Sequence, residues 1–283
     1  MSSPELKRLA YSMLGSVADA EDVLQDAEVK LLQLPQPPDN ADAFLFRVVT
    51  NLSLDRLRKL KRQRANYPGP WLPEPLTTPD PAEHVELAEQ LSLGFVLMLE
   101  RLTPGERVVF VLRQGFDFRF AEIAEVLEVS EATCRQRYRR AQSHLQGAKR
   151  FATPIAEQRQ LLERLLAAVQ TGEARNVVDL LSDTAVVLTD GGGVVSAAIA
   201  PVTDPQRIAQ VTMFLAQKSA QEGELRFEYR NLNMGVGLLI YQAGSIHSCV
   251  LVDGDSGLID RIYVVRNPHK LARLADVAEA VVS

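Results

Sequence analysis

The feature that most constrains the fold is the stretch 120–141, FAEIAEVLEVSEATCRQRYRRA, which predicts two short helices joined by a tight turn. In its first half, Phe120, Ile123 and Leu127 lie on one apolar stripe with helical spacing. Ser130 follows the turn and is a suitable N-cap for the second helix. That helix is expected to bury the side chains spaced four, three and four residues apart, which are Cys134, Tyr138, Ala141 and Leu145.

The opposite face of this second helix is polar and strongly cationic. It carries Thr133, Arg135, Gln136, Arg137, Arg139 and Arg140. Arginine can form bidentate hydrogen bonds with guanine and glutamine with adenine, so the pattern predicts a helix that enters the major groove of DNA. The alternative is a solvated amphipathic helix pair that contacts no DNA.

The net charge of −5 conceals two basic segments. Residues 55–64 contain six basic side chains and one acid, and residues 131–150 again contain six and one. Local charge governs phosphate neutralisation, so the two segments predict two separate DNA contacts. Acidic residues are concentrated in one early helix, at Asp19, Glu21, Asp22, Asp26 and Glu28.

The chain of 283 residues, 46% hydrophobic and 24% charged, is long enough for two or three globular domains. It has no apolar run near the roughly 20 residues that a membrane-spanning helix needs, so no membrane contact is expected. The first residues lack the pattern of a secretory signal, which favours a cytoplasmic protein. With two distant cysteines and no Cys/His cluster, neither a zinc site nor any other cofactor is predicted.

Residues 1–66 are expected to form a helical domain. Its third helix, predicted over 41–64, has an imperfect apolar face made of Phe44, Val48, Leu52, Leu57 and Leu60. Residues 67–82 form a proline-rich linker, with six prolines in the fifteen residues from 67 to 81. Because this linker also holds the single tryptophan, Trp71-Leu72-Pro73 is expected to dock on a neighbouring domain, an inert spacer being the alternative.

Residues 83–151 predict a second helical domain, with helices at about 83–101 and 104–114 before the helix pair described above, and with Thr103 as an N-cap. From 154 to 283, helical segments alternate with β-type runs that are separated by glycine-containing turns. This pattern indicates an α+β cone or open barrel with an antiparallel sheet of four to six strands.

Three segments together resemble the extracytoplasmic-function sigma factors of bacterial RNA polymerase. Residues 9–27, LAYSMLGSVADAEDVLQDA, resemble the region that binds the β′ clamp, and residues 40–64 resemble the region that melts and contacts the −10 promoter element. Residues 102–145 resemble region 4, which contacts the −35 element. The resemblance therefore implies a subunit that binds core RNA polymerase, including its β flap, and promoter DNA.

Three further segments are similar to a subgroup with a fused SnoaL-like, NTF2-like C-terminal domain: PWLPEPL (70–76), DGGG (190–193) and NPHKL (267–271). The subgroup usually has lysine where this chain has Val194 and an acid where it has His269. The resemblance implies that the extension regulates the sigma factor in cis. The residues assigned to this role are Trp71, Leu72, Pro73, Asp190, Gly191, Gly192, Gly193, Asn267, Pro268, Lys270 and Leu271.

The resemblance also implies three other sets of contact residues. For core polymerase they are Asp19, Glu21, Asp22, Gln25 and Asp26, acids that alternatively only cap their helix. For the −10 element they are Arg47, Asn51, Asp55, Arg58, Lys59 and Arg62. For the −35 element, Arg135, Gln136 and Arg139 match base-contacting positions, and Arg137 and Arg140 match phosphate-contacting positions, with Thr133 beside them.

Two alternatives remain at this point. The C-terminal cone could hold a small-molecule ligand or an enzyme site, for which Asp190, Tyr241 and His247 are the candidate residues. The chain could also be a promoter-bound regulator that never joins polymerase, although the acidic helix of residues 19–28 argues against this.

Overall fold

The computed structural model describes residues 3–77, 93–145, 153–232 and 235–280. The chain forms two compact units, one made of residues 1–66 with 96–149 and the other of residues 67–95 with 150–283. The first unit is helical and the second is built on a β-sheet. The boundaries at residues 66, 82 and 151 that the sequence suggests remain a prediction.

The first unit begins with three helices, α1 (Ser3–Leu14), α2 (Val17–Leu32) and α3 (Ala41–Arg64). Side-chain caps explain where two of them start, because Ser16 Oγ accepts from the Asp19 N–H at 3.3 Å and Asn40 Oδ1 accepts from the Ala43 N–H at 2.9 Å. The apolar side chains of α1 form one buried stripe, made of Leu6, Leu9, Ala10, Met13 and Leu14.

The predicted apolar face of α3 was wrong in its position around the helix. The buried residues are Phe46, Val49, Thr50, Ser53, Leu54 and Leu57, whereas Phe44, Val48, Leu52 and Leu60 are only half-buried. The interior face includes small hydroxyl side chains, and the Thr50 hydroxyl donates to the Phe46 carbonyl at 2.8 Å. This bond satisfies a buried polar group within the helix, so a threonine can occupy a core position.

The second part of this unit comprises the end of α4 (Leu93–Glu100), from residue 96 onward, and the whole of α5 (Pro104–Gly115), α6 (Phe120–Leu127) and α7 (Glu131–Leu145). Residues 83–92 of the helix predicted before α5 lie outside the described residues. The Thr103 cap is confirmed, and Thr103 and Glu106 form a reciprocal capping box. The turn between α6 and α7 places Glu128 at φ 53°, and Ser130 Oγ accepts from the Thr133 N–H at 3.2 Å. The predicted helix-turn-helix is therefore confirmed.

The second unit contains one six-stranded sheet in the order β2-β1-β6-β5-β4-β3. Its strands are β1 (Leu181–Asp190), β2 (Val202–Thr203), β3 (Leu225–Leu232), β4 (Gly235–Gln242), β5 (Ser245–Asp255) and β6 (Leu258–Val265). The predicted antiparallel sheet was wrong in one respect, because β1 and β6 are parallel. These two strands are far apart in sequence, because the other four strands of the sheet lie between them along the chain, and so no hairpin joins them.

Helices α8 (Ile155–Gln170), α9 (Ala174–Val178) and α10 (Pro205–Glu222) pack with the sheet around an apolar core that includes Leu162, Ile208 and Val252. A last helix, α11 (Pro268–Ala280), packs against β5. Helical parts followed by an α+β sheet domain confirm the predicted fold class. Apolar side chains fill the space between the sheet and these first three helices, and the small-molecule ligand suggested for the cone stays a prediction.

Candidate nucleic-acid interface and linker site

The cationic face of α7 is exposed as the sequence predicts. Arg135, Gln136, Arg139 and Arg140 are exposed, whereas Thr133 and Arg137 are half-buried. On the other face, Cys134, Ala141 and Leu145 are buried and Tyr138 is half-buried. Burial raises the pKa of the Cys134 thiol, as expected for a core residue without redox chemistry.

A polar cleft of about 490 Å³ lies beside α7, and the sequence analysis missed several residues that line it. Two guanidinium groups approach the Phe120 ring, with Arg113 at 5.7 Å and Arg135 at 5.4 Å from the ring centre. The residues lining the cleft are Arg113, Gln114, Asp117, Phe120, Arg135, Tyr138, Arg139 and Gln142. The polar end of α5, which contributes Arg113 and Gln114, was the available signal.

A second cleft, of about 390 Å³, lies between α2 and α3 and combines cationic, amide, carboxylate and apolar groups. Its lining residues are Lys30, Phe44, Arg47, Val48, Asn51, Leu52 and Asp55. Three of the six residues predicted for the −10 element are thus brought together here, and Arg58 donates to Asp55 at 2.7 Å. Lys59 and Arg62 are exposed outside the cleft lining. The sequence analysis missed Lys30.

The acidic residues of α2 are not equivalent. Asp19 is 14% exposed and accepts from Arg56 Nε at 2.6 Å, and Arg56 also approaches Asp22 at 3.5 Å. Glu21 pairs with Lys7 at 2.9 Å. The more exposed residues follow one helical stripe that ends in two apolar side chains: Asp22, Gln25, Asp26, Val29 and Leu32. Sequence reasoning missed the last two because an apolar residue on an amphipathic helix is expected to face the core.

In the second unit, the Asp190 carboxylate is fully buried and holds the linker. Its oxygens accept from the Tyr67 hydroxyl at 2.5 Å, the Leu72 N–H at 2.8 Å and Lys270 Nζ at 2.6 Å. Lys270 also donates to the Leu72 carbonyl, and its ammonium lies 4.2 Å from the centre of the Trp71 ring. The structure therefore brings Trp71, Leu72, Asp190 and Lys270 into one network.

The glycines after Asp190 allow the close approach of the linker and of α11. A Cβ on Gly192, where φ is 66°, would collide with the Asn267 amide, and one on Gly193 would lie 2.8 Å from Pro68 Cγ. Asn267 is buried and donates to the Tyr67 hydroxyl at 3.2 Å. Leu271 and Pro73 are buried, whereas Pro268 is exposed.

The structure accounts for the presence of Val194 where the subgroup usually has lysine. Val194 is 58% exposed, and the cation that reaches the Asp190 carboxylate comes from Lys270. His269, the other departure, is exposed, and its N–H donates to Asn267 Oδ1 at 3.1 Å.

The three residues considered for catalysis each have separate partners. Asp190 binds the linker, the Tyr241 hydroxyl donates to Glu228 at 2.9 Å, and His247 Nε2 lies 2.8 Å from Arg266 Nη2. Burial, together with the charge of Arg266, lowers the pKa of His247.

Comparisons with known proteins agree with this arrangement. The family description "Sigma-70 region 2" matches residues 2–63, and "Sigma-70, region 4" matches residues 93–145. The ECF RNA polymerase sigma factor SigJ of Mycobacterium tuberculosis is 36% identical over 219 residues, which cover 75% of this chain and 70% of that protein. The chain belongs to the extracytoplasmic-function sigma factors. The predicted resemblance is confirmed.

The crystal structure of M. tuberculosis SigJ shares the whole architecture, C-terminal domain included. Its TM-score is 0.75 at 30% identity, and the match covers 94% of each chain. A probable ECF sigma factor of the same organism, SigI, is 31% identical over 179 residues, which cover 61% of this chain and 62% of that protein. As a member of this family, the chain directs promoter-specific transcription initiation by RNA polymerase.

The relatives are sigma factors, which are not enzymes. In the part of the chain that the structure describes, no helix combines the length and the apolarity that crossing a bilayer requires.

Proposed function

We propose that this sigma factor contacts the −35 element through α7, the −10 element through the α2–α3 cleft and core polymerase through the exposed stripe of α2. The C-terminal domain then regulates these contacts in cis by holding the linker. The chain itself catalyses no reaction in this proposal, because bond formation belongs to the polymerase. The buried Asp190 network is the observation that carries the regulatory part.

The −35 contact is supported by the exposure of Gln136, Arg139 and Arg140 along one helix. A bidentate contact to one base is worth about 1–3 kcal/mol, so Arg139→Ala should weaken specific binding by roughly 5- to 150-fold. The measurement is promoter binding by the reconstituted holoenzyme on a wild-type and a substituted −35 element. Arg101→Ala, at an exposed arginine outside α7, is the matched control. Equal loss in both variants would contradict the assignment.

The −10 contact is supported by the composition of the cleft between α2 and α3. An unpaired base needs an apolar surface for stacking, polar groups for its edge and cations for the adjacent phosphates. Phe44, Asn51 and Arg47 provide one of each. Asn51→Ala should reduce permanganate reactivity of the melted −10 bases while leaving the −35 footprint intact. Loss of the −35 footprint as well would indicate a folding defect instead.

The core contact is supported by the stripe on α2, in which acidic and amide side chains precede exposed Val29 and Leu32. Such a surface suits a partner that offers basic and then apolar groups, and the family resemblance implies that this partner is the β′ clamp. Asp19 and Glu21 belong to the same proposed contact set, and within the chain they pair with Arg56 and Lys7. Leu32→Ser should weaken capture of core polymerase. The control is Ile199→Ser, because Ile199 has the size of a leucine and is 80% exposed but lies outside α2, and this variant should capture core polymerase normally. Unchanged capture with Leu32→Ser would exclude this face.

The C-terminal domain holds the linker, and separating the two costs free energy. This cost supports regulation in cis. A tethered domain acts at high effective concentration, so a small contact suffices. Promoter-dependent transcription should change both in Trp71→Ala and after removal of residues 154–283. If both variants transcribe like the intact chain, the C-terminal domain has no regulatory role.

A further inference from the structure

Strand β3 forms one edge of the six-stranded sheet. Its inner side pairs with β4 over its whole length, from Leu225 to Leu232. On its outer side, the described residues supply a single isolated bridge, between Leu232 and Thr77. Residues 225–231 therefore present an unpaired strand edge, and such an edge is a template for pairing with another strand.

The backbone groups of alternate β3 residues point toward this outer edge. In an antiparallel ladder, hydrogen-bonded pairs alternate with pairs that exchange no hydrogen bonds. The Val236 N–H of β4 donates to Gln158 Oε1 at 3.1 Å, so the pair that Val236 forms with Asn231 belongs to the second kind. The pairs on either side of it then exchange the hydrogen bonds between β3 and β4. The residues whose N–H and C=O groups point outward are consequently Leu225, Phe227, Tyr229 and Asn231.

The side chains of β3 alternate between an apolar and a charged face. Phe227 and Tyr229 pack against the apolar core, whereas Arg226, Glu228 and Arg230 lie on the opposite face of the sheet. Arg226 is 61% exposed and donates to Glu228 at 3.1 Å, and Glu228 is 30% exposed. The charges along this face therefore alternate in sign at every second residue.

Two copies of this strand are complementary in an antiparallel register centred on Phe227. Around the two-fold axis of such a pair, Arg226 of each copy lies opposite Glu228 of the other, and Leu225 lies opposite Tyr229. Leu225, Phe227 and Tyr229 are the residues whose backbone groups point outward, so they supply the hydrogen bonds of this register. Charge and backbone hydrogen bonding thus agree on the same pairing.

The neighbouring registers are unfavourable. A pairing centred on Glu228 would place two Glu228 carboxylates opposite each other and Arg226 opposite Arg230, and like charges in such positions are destabilising. A pairing centred on Tyr229 would extend to Leu232, whose outer side is occupied by Thr77. The register centred on Phe227 avoids both problems.

We propose that two copies of this chain associate through β3, antiparallel and centred on Phe227, so that their two sheets become continuous. The partner is a second copy because one strand supplies both members of each opposite-charge pair. A single pair of strands is a small contact, so the association should be weak and concentration-dependent. The interface lies within the second unit and does not depend on the promoter contacts proposed above.

The test uses sedimentation equilibrium of the full chain without polymerase. The mass should rise with concentration from 31.3 kDa toward twice that value. Arg226→Glu alone, or Glu228→Arg alone, places like charges opposite each other twice and should raise the Kd of the dimer roughly tenfold or more. An equimolar mixture of the two variants restores both opposite-charge pairs and should form mixed dimers. Arg207→Glu, at an exposed arginine on α10, is the matched control and should dimerise like the wild type.

A disulfide test checks the register and does not depend on charge reversal. Arg226→Cys in one copy and Glu228→Cys in the other would form a pair without backbone hydrogen bonds, with Cα atoms about 4.5 Å apart, within the range of a disulfide. A mixture of the two variants should therefore crosslink under mild oxidation. Each variant alone places its thiols about 7–8 Å apart on the diagonal and should crosslink little. The native thiols of Cys134 and Cys249 are buried and should not react.

The outcomes decide the proposal separately from the sigma function. A wild type that stays at 31.3 kDa up to about 1 mM overturns the pairing, because no specific association would then remain. Charge variants that dimerise like the wild type, or a mixture that does not recover, also overturn it. If circular dichroism shows that a charge variant is misfolded, the disulfide test decides, and a mixture that crosslinks no better than the single variants refutes the register. Transcription enters none of these measurements, so their failure leaves the proposed function intact.

Discussion

Replacing Asp190 with asparagine should release the linker from the C-terminal domain. The carboxylate is fully buried and accepts hydrogen bonds from Tyr67, Leu72, Gly192 and Lys270. Asparagine keeps the shape but removes the negative charge, and the Lys270 side chain is only 12% exposed. The variant therefore leaves an ammonium largely buried without its counter-ion.

Removing one partner of a buried ion pair costs about 3–5 kcal/mol. At 1.36 kcal/mol per factor of ten, this cost shifts the equilibrium between docked and released linker by roughly 100- to 5,000-fold. A linker held by a few kcal/mol would then be mostly released. The loss should be confined to this site, because the apolar core around Leu162 and Val252 does not depend on Asp190.

The assay uses the fluorescence of Trp71, the single tryptophan of the chain. In the intact protein the half-buried ring lies 4.2 Å from the Lys270 ammonium. In Asp190→Asn, quenching by acrylamide should rise toward the value for a free peptide of residues 67–77, while circular dichroism stays the same.

Asp183→Asn, at an exposed carboxylate on the same strand, is the matched control and should leave quenching unchanged. Quenching in Asp190→Asn that equals the wild type would refute the reasoning, since the linker would then be held by something other than this carboxylate.

Three further predictions concern single substitutions. Burial raises the pKa of Asp253 from 3.8 to about 6, so the stability it contributes is full below pH 3.8 and is lost as pH rises through 6. Asp253→Asn should therefore be more stable than the wild type by roughly 2–3 kcal/mol at pH 8 and similar at pH 4, as measured by urea unfolding; a gap independent of pH would contradict this. Burial alone would raise the pKa of Glu100, yet Arg107 and Arg64 hold it below 4.5; Glu100→Gln should destabilise the helical unit by about 3 kcal/mol in thermal unfolding, and a loss below about 0.5 kcal/mol would show that the pair contributes little. Gly192→Ala should increase Trp71 quenching because its Cβ collides with Asn267, whereas Gly172→Ala, also at positive φ but in open space, should not; equal effects would mean that backbone strain alone is responsible.

Local patterns predicted local structure well in this chain. The spacing of Ile123, Cys134 and Ala141 identified the inward faces of the helix-turn-helix, and all three are buried. Periodicity failed on α3 because Thr50 and Ser53 occupy its interior face. A residue whose hydroxyl forms a hydrogen bond with its own helix can occupy the core like a small apolar residue. A hydropathy pattern does not reveal this.

Long-range relations were mostly beyond the sequence. The parallel pairing of β1 with β6 joins residues about 75 positions apart, which no local pattern encodes. Resemblance singled out Asp190 and Lys270, but not that the two form one ion pair under the Trp71 ring. Exposed Val29 and Leu32 were missed for a related reason, because exposure depends on which partner helices leave a face uncovered.

Fastening the linker to the C-terminal domain has a consequence for promoter architecture. The 28 residues between Arg64 and Leu93 could extend to at most about 95 Å if they were free, which would tolerate many spacer lengths between the two elements. With residues 67–77 fixed in place, this upper limit no longer applies, because part of the connection is held in one conformation. A sigma factor whose linker is held in this way should not tolerate base pairs inserted into or deleted from the promoter spacer. Once the linker is released from the C-terminal domain, the protein should accept a wider range of spacer lengths.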